Sequence, residues 1–310
     1  MSRVALTGAT GFVGASTLAT LLEQGHTVKA LVRGQGRVPD HLQLEVVDGS
    51  LHDQKALAHL VNGCEAVIHI AGAIAGRRYS DFEAVNVLGT ANLLAAVTEH
   101  APQTRLIHVS SLAAREPQLS DYAASKAAAE RLVVDSALDW QIVRPPAIYG
   151  PSDPALAPLW RLLAKGWLPQ LASDEARFSL LHVNDLSRLL IASALVAGNQ
   201  QRYWEPDDGR PGGYRWSDVA DIAGRCRGKR IRRVRIPFVM LWGAGALSTA
   251  MSRLLPGPAP VFGLGKAREL AHIDWVCDNT GVPFPGEWTP NLQLQDSLGD
   301  LPGWRSGDLE

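Results

Sequence analysis

Residues 3–14 constrain the fold more than any other stretch of this chain. Arg3-Val4-Ala5-Leu6-Thr7 reads as a short buried strand that runs straight into Gly8-Ala9-Thr10-Gly11-Phe12-Val13-Gly14. A Gly-x-x-Gly-x-x-Gly turn between a strand and a helix fits few architectures. Gly8 lets the backbone leave the strand in a tight bend, Gly11 lets the main chain approach a pyrophosphate with no Cβ in the way, and Gly14 lets the next helix pack close to the sheet. The spacing predicts a helix over 15–24, with Leu18, Leu21 and Leu22 as its apolar stripe and Gly25 as its stop. Free N–H groups and the positive end of that helix face the turn, which makes it an anion site. Gly8, Thr10, Gly11, Phe12, Val13 and Gly14 are therefore expected to hold the phosphates of a dinucleotide.

Further strands are expected at 26–32, 44–47, 66–70 and 105–109, and further helices at 54–62 and 79–100. Regular alternation with short loops implies right-handed crossovers and a parallel sheet covered on both faces, the doubly wound α/β class (a Rossmann fold). Ligands of such sheets sit beyond the carboxyl ends of the strands. Arg33 stands at the end of the second strand, and no acid follows until Asp40, so a 2′-phosphate is favoured over a free ribose hydroxyl. The cofactor expectation is NADP(H), with NAD(H) as the alternative and Arg37 as a second phosphate ligand. Ser50 and Leu51, in the turn 48–53, are expected under the adenine. Ala71 and Gly72 are small enough to let the dinucleotide lie against the backbone. His69 reads as a packed strand histidine, and Asn86, within the helix over 79–100, as either a surface amide or a site residue.

The chemistry enters with Asp121-Tyr122-Ala123-Ala124-Ser125-Lys126, the start of an alanine-rich helix. Tyr122 and Lys126 are i and i+4 and share a helix face. An adjacent ammonium and an oxidised nicotinamide would favour the phenolate, making Tyr122 a usable acid/base. Ser111, at the end of the strand over 105–109, would hold the substrate oxygen while hydride moves between substrate carbon and nicotinamide. Ser110 competes with it for that role.

A net charge of −1 over 310 residues gives no general attraction for nucleic acid. Cys64, Cys226 and Cys277 are odd in number and in no metal-ligand spacing, so reduced thiols and no metal site are expected. No apolar run reaches spanning length and no cleavable leader precedes the first strand, so the expectation is a cytoplasmic protein with a small-molecule substrate and no integral membrane segment.

On these pieces the chain resembles the short-chain dehydrogenase/reductase superfamily, in its extended epimerase, dehydratase and reductase branch. The resemblance rests on Thr7 to Gly14, His69 to Gly72, Asn86 to Thr90, Val109 to Ser111, Tyr122 to Lys126, Arg144 to Pro151 and Phe178 to Leu186. It implies that Ser111 orients substrate, that Tyr122 is the acid/base, and that Lys126 binds the nicotinamide ribose and lowers the tyrosine pKa. It also implies that Asn86 supports a proton relay and that Pro145 and Ile148 flank the nicotinamide. Many relatives pair through the helices beginning near Tyr79 and at Tyr122, and Ala123, Ala124, Ala127, Ala128 and Ala129 would permit a close homodimer contact. Leu112-Ala113-Ala114 replace the acidic pair of the sugar-nucleotide dehydratases. Ala147 stands where nucleotide-sugar epimerases place an asparagine, and only ten residues separate Ser111 from Tyr122.

The expected organisation is a dinucleotide-binding domain over 1–150 and a smaller C-terminal substrate lobe over 151–310, with the chain returning to the first sheet around 178–206. Eight of nine tryptophans lie after 151, most of them expected in the core, with Trp160 and Trp167 on one helix face. The seven basic residues from Arg225 to Arg235 read as a solvated strand, and the apolar helix after Phe238 as a wall of the substrate pocket rather than a membrane contact. Residues 272–275 and the proline-rich tail over 283–302 read as lid and surface wrap. The expected activity is NADP(H)-dependent interconversion of a carbonyl and a secondary alcohol on a largely apolar molecule. The alternatives are nucleotide-sugar epimerisation by transient oxidation and a non-catalytic NADP(H)-binding subunit or redox sensor.

Overall fold

In the computed structural model, which describes residues 1–34, 36–196, 201–254, 262–278 and 284–305, the first strand and turn form as their residues require. β1 (Arg3–Thr7) leads into α1 (Phe12–Glu23). That helix starts three residues earlier than the apolar stripe indicates, because Gly11 is its cap and Gly14 falls inside its first turn. β2 (Thr27–Val32), β3 (Leu44–Asp48), α2 (Gln54–Val61) and β4 (Ala66–His69) follow, with the Asp53 side chain capping α2 at Ala56 N. The helix expected over 79–100 is α3 (Tyr79–Phe82), a π-helical segment Glu83–Leu88, and α4 (Gly89–His100). β5 (Arg105–Val109), α5 (Asp121–Val134) and β6 (Trp140–Val143) complete the first half, with Ser120 capping α5 at Ala123 N.

The second half starts with β7 (Ala147–Tyr149), α6 (Ala157–Ala164), β8 (Trp167–Gln170), β9 (Arg177–Phe178) and β10 (Leu180–His182). Then come α7 (Val183–Leu195), β11 (Arg202–Trp204), α8 (Trp216–Arg227), β12 (Arg232–Arg235), α9 (Phe238–Leu254), α10 (Leu264–Ala271) and β13 (Asp274–Trp275).

Seven strands form the central sheet in the order β11-β6-β5-β4-β1-β2-β3, every pair parallel. Strand order reverses between β1 and β4, which opens the crevice where doubly wound sheets bind ligands. One face of the sheet is covered by α1 and α7 through Leu18, Leu21, Leu186 and Leu190. The other is covered by α2, α4 and α5 through Leu57, Leu60, Leu93 and Val133. α7 and β11 come from the later half of the chain, α7 covering one face of the central sheet and β11 pairing with β6 at its edge. An ionic chain fastens this return. Glu130 on α5 accepts two hydrogen bonds from Arg144 (2.8 and 2.6 Å), Arg144 also reaches Glu205 (3.4 Å), and Arg115 meets Glu205 from the other side (3.1 Å).

A third apolar cluster joins Tyr149, Trp160, Leu180, Tyr214 and Trp216 to Leu294, Leu298, Leu301 and Trp304. The tail over 284–302 is thus more than a surface wrap, since it sends Trp288, Leu294, Leu298 and Leu301 into the core; Pro283 lies outside the described residues. Trp160 and Trp167 do not share a helix face. Gly166, at φ +90°, ends the helical run, leaving Trp160 buried on α6 and Trp167 exposed on β8. Trp160, Trp204, Trp216, Trp288 and Trp304 are buried, so most of the later tryptophans do pack.

Candidate active site

At the carboxyl ends of the central strands lies a cavity of about 1030 Å³, lined by Gly8, Thr10, Gly11, Phe12, Val13, Gly14, Arg33, Ser50, Leu51, Ala71, Gly72, Ser111, Tyr122, Lys126, Pro145 and Ile148. Its volume stands at the top of the usual range for a ligand pocket. Every expected cofactor residue except Arg37 therefore lines this one cavity.

The glycine turn fits a dinucleotide by its close approaches. Gly8 has φ +80°, and a Cβ there would stand 2.7 Å from Ala71 N. A Cβ on Gly14 would stand 2.0 Å from the Gly8 carbonyl oxygen, so only hydrogen lets α1 begin against the turn. The N-terminus of α1 opens into this cradle, and exposed Arg33 supplies a cation at the end of β2.

Asn86 is no surface amide. It is buried in the π-helical segment, where its Oδ1 accepts from Ala73 N (2.7 Å) and its Nδ2 donates to Ala73 O (3.1 Å) and Ser125 Oγ (2.9 Å). It clamps the loop after β4 to the helix that carries Tyr122, and Ser125 Oγ donates in turn to the Tyr122 carbonyl (2.7 Å). π-helical turns inside α-helices often mark functional sites.

His69 is buried and outside the cavity lining, as a packed strand histidine would be. Thr90 Oγ1 donates to the Asn86 carbonyl (2.6 Å), so it accepts from His69 Nε2 (3.0 Å), and His69 Nδ1 accepts from Thr7 Oγ1 (2.7 Å). Burial first, and Lys126 second, pull its pKa down to about 3.

Tyr122 stands in the first turn of α5 and lines the cavity together with Ser111, whose side chain is close enough to lower the phenol. Ser110 Oγ, by contrast, is buried with no hydrogen-bond partner among the described residues. Burial pushes the Tyr122 phenol up to about 12, the nearby Ser111 side chain pulls it down, and the Glu269 carboxylate raises it. The expected lowering by Lys126 is absent from these influences. Lys126 is itself buried, which draws its pKa down to about 8 against the pull of Glu130, and its Nζ donates to the Val109 carbonyl (2.7 Å). A phenol held protonated is a proton donor at neutral pH, suited to a carbonyl oxygen that gains negative charge.

Glu269 is a site residue that no local pattern revealed. It is buried on α10, accepts from Ser120 Oγ, and takes a hydrogen bond from Lys266 Nζ (2.9 Å). Beyond it the lining is mostly apolar, including Leu119, Leu159, Trp160, Phe178, Trp216 and Trp275. The apolar helix α9 is not the wall expected of it: among the described residues Thr249 alone represents it in the lining, because most of its described large apolar side chains face solvent.

A family model described as NAD(P)H-binding matches residues 8–156. Ceramide reductase of Caulobacter vibrioides (strain NA1000 / CB15N) is 42% identical over 291 residues, covering 90% of this chain and 89% of that protein. The 3 beta-hydroxysteroid dehydrogenase/Delta 5-->4-isomerase of Mycobacterium tuberculosis (strain ATCC 25618 / H37Rv) is 32% identical over 224 residues, covering 63% of this chain and 60% of that one. Among solved structures, UDP-glucuronic acid 4-epimerase from Bacillus cereus shares the fold at TM-score 0.71 and 17% identity, over 97% of this chain and 98% of that one.

Proposed function

The chain belongs to the NAD(P)H-binding short-chain dehydrogenase/reductase superfamily, in its extended branch, and on that premise we propose that this NAD(P)-dependent oxidoreductase-type enzyme uses NADPH to reduce a carbonyl on a long-chain, lipid-like molecule to a secondary alcohol. The observation that carries the reading is the meeting of Ser111, Tyr122 and Lys126 in one cavity, between the glycine cradle and an apolar lining. Likeness to a ceramide reductase over nine-tenths of the chain directs the substrate choice to ceramide-class carbonyl lipids.

The nicotinamide that this cradle would hold would supply hydride to the carbonyl carbon. Ser111 holds the carbonyl oxygen, and Tyr122 gives that oxygen its proton. The phenolate left behind, with a pKa near 12, recovers a proton from solvent at neutral pH. Lys126 serves as a donor to the nicotinamide ribose, Asn86 as the clamp on the loop beside it, and Pro145 and Ile148 as the walls on either side. Arg33 selects the 2′-phosphate. The division into a cofactor lobe over 1–150 and a substrate lobe over 151–310, with the return at 178–206, belongs to the same reading. So does pairing of two copies through α3 to α5, for which Ala124, Ala127 and Ala128 remain accessible while Ala123 and Ala129 are buried within the chain.

The test is NADPH oxidation by the purified protein over a panel of long-chain keto lipids, small ketones and UDP-sugars. Turnover confined to the lipids, reduced at least ~100-fold by Tyr122→Phe with NADPH affinity unchanged, is expected. Conversion of a UDP-sugar without net NADPH oxidation points instead to epimerisation.

A further inference from the structure

The solvent face of α9 carries what a globular protein ordinarily covers. From Phe238 to Met251 there is no charged residue. The packed stripe is narrow: Leu241 is buried, a Cβ on Gly245 would lie 3.0 Å from the Gly263 carbonyl, and Thr249 Oγ1 accepts from Leu264 N (3.1 Å). Away from that stripe, Val239 is 77% exposed, Met240 65% and Leu247 62%, with Phe238, Trp242 and Met251 each near one half. Single exposed apolar residues are ordinary, but six within fourteen positions make a patch that calls for a partner.

The residues just before it identify that partner. The stretch 225–235 holds seven basic residues and no acid, and all four side chains of β12 are exposed. Arg233 and Arg235 share Asp174, while Arg232 lies over the ring of exposed Trp167 (5.3 Å). Only Ile236 and Pro237 separate β12 from α9, so the basic strand ends within about 11 Å of the first apolar residue.

We propose that α9 lies in the surface of an anionic bilayer, its exposed face among the acyl chains and the basic stretch over 225–235 against the lipid phosphates. A second copy is the poorer fit, because a two-fold contact would bring two basic stretches to one interface. A bilayer offers apolar interior and opposite charge together. Among the described residues no helix is long and apolar enough to cross a membrane, so the contact is peripheral. α10, packed on α9, lines the cavity through Leu264, Gly265, Lys266 and Arg268, which sets the site next to the docked face. The value of this for a lipid substrate rests on the reductase reading; the docking does not.

The experiment is flotation of the full chain with vesicles of equal parts phosphatidylglycerol and phosphatidylcholine, and with phosphatidylcholine alone, beside light scattering without lipid. The protein is expected to float with the anionic vesicles, to bind the neutral ones several-fold less, and to be released by salt. Trp242→Glu with Leu247→Glu should weaken binding about tenfold or more, and Arg230→Gln with Arg232→Gln about fivefold per arginine, with NADPH affinity and melting temperature retained. Failure to float, flotation undiminished by the Glu pair, or equal binding to both vesicles overturns the proposal. A dimer that the Glu pair splits, with no lipid binding, assigns the face to a second copy instead. None of these readouts requires turnover, so a wrong substrate assignment leaves the result intact.

Discussion

Glu269 accepts a hydrogen bond from Ser120, the residue that caps α5, so a buried carboxylate from α10 stands against the helix end that carries Tyr122. Its charge is one of the two influences that raise the phenol, after burial itself.

Replacing that charge should move the pH profile in a set direction. Reduction needs the protonated phenol, which is present below its pKa and lost as pH rises through about 12. Glu269→Gln lowers that pKa, so the alkaline fall in kcat/KM for reduction shifts to lower pH, while the reverse oxidation gains at a given alkaline pH. Profiles in both directions decide it, and an unmoved alkaline limb removes Glu269 from the acid/base chemistry.

Arg33→Ala tests the cofactor choice. A charge-assisted contact to a 2′-phosphate contributes roughly 1.5–3 kcal/mol, or about ten- to a hundredfold in affinity. NADPH binding should weaken by that order while NADH stays nearly unchanged, and the difference should shrink at high salt. Equal loss for both cofactors in binding titrations makes Arg33 an ordinary surface arginine.

Two glycines of the same turn should fail in different ways. Gly14→Ala drives a Cβ onto the Gly8 carbonyl and should cost stability, on the order of 1–3 kcal/mol at least, together with cofactor affinity. Gly11 has φ −85° and its nearest Cβ neighbour would be 3.4 Å away, so Gly11→Ala should keep its melting temperature and lose about tenfold in NADPH binding through the phosphate approach alone. Thermal melts alongside titrations separate the two effects.

The buried histidines set the response to acid. His69 is neutral in the fold, with its pKa lowered from 6.5 to about 3, and His108, 5.3 Å away, is pulled well below its usual value by burial, Lys126 and His69. A lowered imidazole pKa leaves stability whole above 6.5 and removes it as pH falls toward the folded value, by ~1.4 kcal/mol per pH unit for each histidine. His108 makes no side-chain hydrogen bond among the described residues, so His108→Leu should about halve the slope between pH 6 and 4.5 in urea titrations. An unchanged slope would show that other groups govern the acid limb.

What the sequence made legible is local or periodic. The glycine turn, the alternating strands and the Tyr122–Lys126 spacing are each set by a few neighbouring residues, and the sheet assembles around them. Glu269 was not legible because it reaches Ser120 across 149 positions, and the balance of burial and charge on Tyr122 exists only after that contact forms. The π-helical segment is hidden because its residues carry ordinary helical periodicity; what marks it is the tertiary clamp of Asn86 on Ala73. The direction that α9 faces is hidden in the sequence for a related reason. A uniformly apolar helix reads the same whether its face meets a pocket, a core or a lipid surface.

The third apolar cluster carries a consequence for the order in which the molecule is made. Tyr149 and Trp160 share it with Leu298, Leu301 and Trp304, so residues synthesised at the midpoint wait for partners about 140 positions later. Most of the strands and helices around the central sheet are complete by Val143, whereas the apolar side of the cavity stays open until the closing segment arrives. During that interval Trp160, Phe178 and Trp216 lack the apolar partners that the closing segment brings. Early occupation of the glycine cradle would then steady the first half while the second is still being made.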